Sequence, residues 1–156
     1  MNAPSALSPE QLEHLGSLSG LEFLRTAFAT KERPPFIGDL LGLEVVSLEE
    51  GEVSFSVPTR PEFSNPLGVL HGGICATLLD SVMGCSVHST LEAGVGYGTL
   101  ELKLNYIRTV PIDGARLVGT GRTIHVGRQV ATAEGSVVDD AGRLVAHGTT
   151  TCMIYR

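Results

Sequence analysis

The sequence predicts an α+β fold in which one antiparallel β-sheet wraps around a single long central helix, with a helical segment ahead of it. Three observations carry this expectation. The run that follows His71 is long and free of proline, and its apolar residues lie all round a helical wheel, as in a helix buried on most sides. After it, "TLELKLNYI" sets Leu100, Leu102, Leu104 and Tyr106 on one face and Glu101, Lys103 and Asn105 on the other, the period of a strand. Before it, "GLEVVSLEEGEVSFSVPT" reads as a β-hairpin.

In chain order, residues 1–7 read as a loose tail. "SPEQLEHLGS" opens a helix with Ser8 as cap, Pro9 in the first turn and Gln11 at the capping-box position. "LEFLRTAF" continues helical, with Leu21, Leu24 and Phe28 on one face, and "ERPPF" stops it. A short helical turn is expected from Phe36 to Leu41. The hairpin turns near Glu50-Gly51, and its second arm alternates Val53, Phe55 and Val57 with Ser54 and Ser56. Residues 59–70 form a loop. Residues 115–126, 129–139 and 143–154 are three further strands, so that a four-stranded meander closes the chain. Its turns fall at "PIDG", Val126-Gly127-Arg128 and Asp139–Gly142. Two regions result: residues 1–35, a tail with a helical extension, and residues 36–156, one domain.

At 156 residues the chain is long enough for one domain with a sizeable core. A hydrophobic content of 42% and a mean hydropathy of +0.18 place it among globular chains. A net charge of -6, with no basic cluster, argues against a nucleic-acid partner, while leaving single arginines free to hold a phosphorylated small molecule. No apolar run has membrane-spanning length and the start lacks a basic segment followed by an apolar block, so the expectation is a cytoplasmic protein with no membrane partner. Cys75, Cys85 and Cys152 have no metal-motif spacing. Cys75 and Cys85 are separated by about 15 Å on one helix, too far for a disulfide, and all three read as small core residues. His71 and Cys75 are four apart, but no third ligand stands near them, and His14, His88, His125 and His147 form no metal spacing, so no metal is expected.

"NPLGVLHGGICATLLDSVMGCS", residues 65–86, contains one acid, Asp80, and no Lys or Arg. Burying an acid costs several kcal/mol unless it is paired or used, so Asp80 is either a reactive carboxylate or a structural one, paired with an arginine or hydrogen-bonded to a partner helix at an interface. His71-Gly72-Gly73 at the helix start offers free N–H groups to a developing oxyanion, or makes a tight loop-to-helix turn. Asn65 either polarises a carbonyl or serves as an ordinary turn residue before Pro66, and Thr99 either orients a water or packs in a strand. Arg108, Arg122 and Arg128 stand at or near strand ends.

The spacing Asn-x-x-Gly-x-x-His-Gly-Gly, with Asp eight residues after the first glycine of the pair, resembles the hotdog-fold acyl-CoA thioesterases of the phenylacetate-degradation type. The segment from "LELKLNYIRTV" to "VAHGTTT" is similar to the strands of that family, and the likeness covers about residues 36–154. The resemblance implies Asp80 as general base or nucleophile, the Gly72 N–H as oxyanion donor, and Asn65 as the group that holds the thioester or positions water. It implies that His71 shapes the loop and that Thr99, where such enzymes often carry a hydroxyl, orients the water. Coenzyme A, as part of the substrate, would be held by Gly73, Arg108, Arg122, Gly127 and above all Arg128, with no separate cofactor. The site would lie at a homodimer interface, Asp80 from one chain and the Asn65–Gly72 side from the other, in a dimer or a dimer of dimers. An aromatic or medium-chain acyl group would lie along Met83, Gly84 and Val87. A non-catalytic acyl-CoA-binding protein and a hydratase or dehydratase are the alternatives; Asp80 together with Asn65 favours an enzyme over a binder, and His71 placed at the helix start before two glycines resembles the thioesterase motif rather than a hydratase's catalytic histidine.

Overall fold

The computed structural model describes residues 6–30 and 33–156. The first five residues of the expected tail, with Lys31 and Glu32, lie outside the described residues. Helix α1 (Pro9–Gly16) starts on the expected capping box: the Ser8 N–H donates to Gln11 Oε1 at 2.8 Å and the Gln11 N–H to Ser8 Oγ at 3.2 Å. It does not continue into the next segment. Ser17 ends it, and Ser19, bonded to Glu22, caps a separate helix α2 (Gly20–Ala29), because two serines in "SLS" supply a stop and a start. Helix α2 packs into the body: Leu24 is buried, Phe28 meets Phe55 with ring centres 4.9 Å apart, and Phe23 meets His88 at 5.0 Å. Helix α3 (Ile37–Leu41) ends on Gly42 at φ 64°.

The sheet has six strands: β1 (Glu44–Glu49), β2 (Glu52–Pro58), β3 (Gly96–Tyr106), β4 (Arg116–Val126), β5 (Val130–Val138) and β6 (Leu144–Tyr155). Helix α4 (Gly72–His88) lies across it. All pairings are antiparallel, in the order β1-β2-β4-β5-β6-β3. The expected four-stranded meander is therefore only three strands, β4-β5-β6. β3 pairs with β6 at the opposite edge, and residues 107–115, including "PIDG", cross from that edge to the centre. Alternation marks a segment as a strand but does not choose its neighbour. β4 joins β2 along an unbroken backbone ladder from Glu52 to Pro58, and side chains add to it: Ser54 Oγ and Thr120 Oγ1 are 2.8 Å apart, and Arg116 Nε donates to Ser56 Oγ at 3.0 Å. Alternation in β3 is also broken, by a bulge between Thr99 and Glu101, which leaves Leu100 exposed while Leu102 and Leu104 are half-buried.

The core lies between α4 and the inner sheet face. There the strands carry small residues, among them Gly119, Gly121, Ala131, Ala133, Gly135 and Ala146. Leu78, Leu79, Val82 and Met83 of α4 are fully buried on them. A Cβ at Gly119 would sit 2.7 Å from Leu78, one at Gly135 would sit 2.9 Å from Met83, and one at Gly121 would collide with the Val82 carbonyl. The helix thus rests on bare strand backbone, and a side chain at Gly121 has only helix backbone to displace. Gly121→Ala is expected to destabilise the protein by about 2–3 kcal/mol, lowering Tm by roughly 5–10 °C in a chain of this size, as measured by thermal unfolding.

Candidate active site

The loop that enters α4 is fastened by its own backbone and by one side chain. The Asn65 N–H donates to the Val69 carbonyl at 2.8 Å and the Gly68 N–H to the Asn65 carbonyl at 2.9 Å, with Gly68 at φ 77°. Asn65 Oδ1 accepts from the Leu67 N–H at 2.9 Å and the Val69 N–H at 3.4 Å. The carbonyl half of the amide is thus used by the loop, and its NH2 is the half left for a ligand. The Leu70 N–H bonds Val110 and the His71 N–H bonds Phe63, which fixes the point where the helix begins.

His71 is the N-cap of α4: its Nδ1 accepts from the Gly73 N–H at 2.9 Å, so the neutral ring carries its proton on Nε2. This bond also occupies the Gly73 N–H, one of the groups expected to meet coenzyme A. Among the described residues no acceptor is bonded to the Gly72 N–H, which stands free at the positive end of the 17-residue helix. Tyr106, at the end of β3, donates from its hydroxyl to the Gly72 carbonyl at 3.0 Å, and a Cβ at Gly72 would lie 3.1 Å from its ring. A side chain here would press on that ring, so glycine lets Tyr106 lie close over the helix start. Sequence reading placed Tyr106 only on a strand face, since period-two alternation carries no sign of a contact 34 residues back.

Asn65, Gly72, Tyr106 and Arg108 line one cleft of about 360 Å³, in which Arg108 is exposed. Arg122 is not at a strand end but inside β4, on the sheet face away from α4, where it pairs with Glu52 at 2.7 Å. Gly127 and Arg128 form the β4–β5 turn; the Gly127 N–H bonds the Val130 carbonyl at 2.8 Å and Arg128 is exposed. None of these three lines the Asn65 cleft. Met83 and Val87 do not border an opening either: both are fully buried, and Gly84 lies under Tyr97.

Asp80 is half-buried, less enclosed than its isolation in an apolar run suggests. It lies on the side of α4 turned from β4 and β5 and toward the edge strand β3, where its helix neighbours are Thr77 and Ser81, whose hydroxyls bond back to helix carbonyls at 2.9 and 2.8 Å. Thr99, inside β3 rather than at its start, donates to Asp80 Oδ1 at 2.9 Å. The threonine therefore orients the carboxylate, and Oδ2 has no hydrogen-bond partner among the described residues. Asp80 stands eight residues along α4 from Gly72, about 12 Å of helix rise. The structure thus gathers Asn65, Gly72 and Arg108 in one place and Asp80 with Thr99 in another. The thiols are not poised for reaction: burial pushes Cys75 up to about 11, and burial with the Asp80 charge pushes Cys85 up to about 12. Among the described residues no group of three His, Cys, Asp or Glu side chains is placed to hold a metal, and no helix is long and apolar enough to cross a membrane.

A six-stranded antiparallel sheet wrapped on one long helix defines the hotdog class of proteins. The family model of the thioesterase superfamily matches residues 67–146, and the chain belongs to that family of enzymes. It is similar to a conserved protein of Pseudomonas aeruginosa, at 34% identity and TM-score 0.72, covering 78% of this chain and 94% of that one. The proofreading thioesterase EntH of Klebsiella pneumoniae is 30% identical over 103 residues, 66% of this chain and 74% of its own length. A Streptococcus mutans protein solved bound to acetyl CoA is 29% identical with TM-score 0.67, covering 72% of this chain and 88% of that one.

The helix cap is testable apart from chemistry. His71→Ala removes the acceptor for the Gly73 N–H and is expected to cost about 1 kcal/mol, read as a lower urea midpoint at unchanged slope. His71→Asn restores an acceptor at the same position and should recover most of it.

Proposed function

We propose that this protein hydrolyses acyl-CoA thioesters at a site composed from two copies of the chain. The observation that carries the reading is Asp80, the one acid of α4, held by Thr99 through one oxygen with the other open. That oxygen takes a proton from water as the water oxygen bonds to the thioester carbonyl carbon. The carbonyl electrons move to its oxygen, and this oxyanion accepts from the free Gly72 N–H at the helix N-terminus and from the Asn65 amide. Collapse breaks the C–S bond, the thiolate regains the proton from Asp80, and free acid and coenzyme A leave. If Asp80 instead attacks the carbonyl itself, the same donors serve and water cleaves the resulting anhydride.

Within one chain Asp80 stands two turns and about 12 Å of helix rise beyond Gly72, several times a hydrogen-bond length. One carbonyl group does not reach both. A second copy related by a two-fold axis supplies the missing half to each site, giving two equivalent sites. The free edge of β3, where Leu100 and Tyr106 are more than half exposed, supports that contact. For the coenzyme A phosphates the cleft favours Arg108 over Arg128, because Arg108 stands beside Gly72 and Asn65.

Thiol release from a panel of acyl-CoAs tests the activity, and no release from any of them overturns it. Asp80→Asn is expected to fold normally and to lose about 10²–10⁴-fold in kcat as a lost base, or nearly all activity as a lost nucleophile. Retained wild-type activity removes Asp80 from the mechanism. When inactive Asp80→Ala and Asn65→Ala chains are unfolded and refolded together, a shared site returns a substantial fraction of activity, because some sites in mixed dimers carry neither lesion. No recovery, with heterodimers present, places the whole site in one chain. Arg108→Ala should raise KM for acyl-CoA and flatten its salt dependence at nearly constant kcat.

A further inference from the structure

Asp80, Gly84 and His88 recur every four residues along α4 and turn toward β3. The middle position has no side chain, and Tyr97 of β3 takes its space. A Cβ at Gly84 would lie 2.6 Å from the Tyr97 hydroxyl oxygen and 2.9 Å from the nearest ring carbon. The tip of the ring therefore stands directly over the helix, one turn beyond the acid. It is held there from the side. The ring centre is 5.5 Å from that of His88, which in turn meets Phe23 at 5.0 Å, so the three rings form one packed row from β3 across α4 to α2. Burial, with Cys85, Cys152 and Asp80 nearby, pushes the phenol up, and its hydroxyl stays neutral.

Tyr97 stands between two spaces. On one side is Asp80 with its open oxygen. On the other is a cavity of about 460 Å³ between α2, α4 and β3, lined by Phe23, Ala27, Phe28, Cys85, His88 and Tyr97 among others. That volume falls within the roughly 300–1,000 Å³ of small-molecule sites, yet neither Asp80 nor Gly84 borders the cavity. Joined, the two spaces would hold a long or bulky acyl group. One side chain keeps them apart.

We propose that Tyr97 is the end wall of the acyl site and restricts the substrate to short acyl groups. This rests on the thioester reading for the identity of the ligand; the wall itself rests on packing. An acyl group that leaves Asp80 along the bare face of α4 has one turn of helix, about 6 Å, before it meets the ring. At about 1.5 Å per bond, a straight chain of about four carbons fills that length. An octanoyl chain is longer, and an aromatic ring is both longer and wider than the room one missing side chain leaves. The class is therefore narrower than the aromatic or medium-chain acyl group that the sequence suggests.

The test reads affinity against chain length with alkyl thioethers of coenzyme A, which lack the carbonyl and are not hydrolysed. Ethyl-, butyl-, hexyl- and octyl-CoA are titrated by calorimetry into the full chain, into Tyr97→Ala, and into Tyr97→Ala combined with Gly84→Leu. A buried methylene raises affinity about fourfold. In the wild type the gain should run from ethyl to butyl and stop there. In Tyr97→Ala it should continue to octyl, so that the octyl-to-butyl affinity ratio rises about tenfold or more over the wild-type ratio. Gly84→Leu in that background refills the space from the helix side and should bring the ratio back near the wild-type value. A ratio within one variant is untouched by a general loss of affinity. A wild-type gain that continues to octyl, a ratio unchanged by Tyr97→Ala, or a ratio that stays high in the double variant each overturns the assignment. If either variant does not fold, the wild-type profile and Tyr97→Leu, which lacks the outer half of the ring, decide by the same ratio. Thiol release from butanoyl-CoA and octanoyl-CoA is followed separately. A length limit set by Tyr97 in the thioethers, with no thiol released from either thioester, sinks the hydrolase reading and leaves the wall standing. Release without a length limit sinks the wall and leaves the hydrolase reading.

Discussion

The structure depends on how closely α4 lies against the sheet. The inner faces of β4, β5 and β6 are built from glycine and alanine, and the helix sits on strand backbone rather than on strand side chains. Leu78, Leu79, Val82 and Met83 fill the space that remains. Such a seat fixes the rotation of the helix about its own axis, because each of these side chains has one place to go. Every feature of the site inherits that rotation. Asp80, Gly84 and His88 face the edge strand β3 because the four apolar residues beside them face β4 and β5. Tyr97 covers Gly84 because nothing larger stands there.

The beginning of the helix is set independently, by short-range bonds. The Asn65 side chain holds the loop, the His71 ring caps the first turn, and Tyr106 locks the Gly72 carbonyl from the side. With these contacts in place the Gly72 N–H is kept free and rigid, so a donor at this point needs no rearrangement to receive charge. The two halves differ in how they are built. One is a loop stabilised by hydrogen bonds, the other a helix stabilised by packing, and the acid belongs to the second.

Much of this was legible in the sequence. Ser8 with Gln11, the hairpin turn before Gly51, the alternation of Val53, Phe55 and Val57, and the apolar run after His71 are local patterns, and local patterns report local structure. The resemblance carried by Asn65, His71, Gly72, Gly73 and Asp80 pointed to the family. What was not legible depends on partners distant in sequence. The strand between residues 96 and 106 was found, but its place beside β6 is decided by a register that no local pattern records. Arg122 looked available until Glu52, 70 residues earlier, was seen to hold it. Tyr106 was taken as one more strand residue. Met83 and Val87 were expected along an opening because an evenly apolar helix does not tell which side meets the sheet. The missing signal was in the strands: the run of small residues on β4 and β5 marks the face on which a helix rests.

The close seat also bears on how this segment can change over evolutionary time. A single residue inserted between Gly72 and Asp80 would turn everything after it by about 100° about the helix axis. Val82 and Met83 would then swing off the glycines that receive them, while Asp80 would leave Thr99 and His88 would leave its cavity. Substitution can proceed position by position, but a change of length breaks the core and the site in one step. The interval from Gly72 to His88 is therefore expected to hold a constant length while the strand connections around it lengthen and shorten.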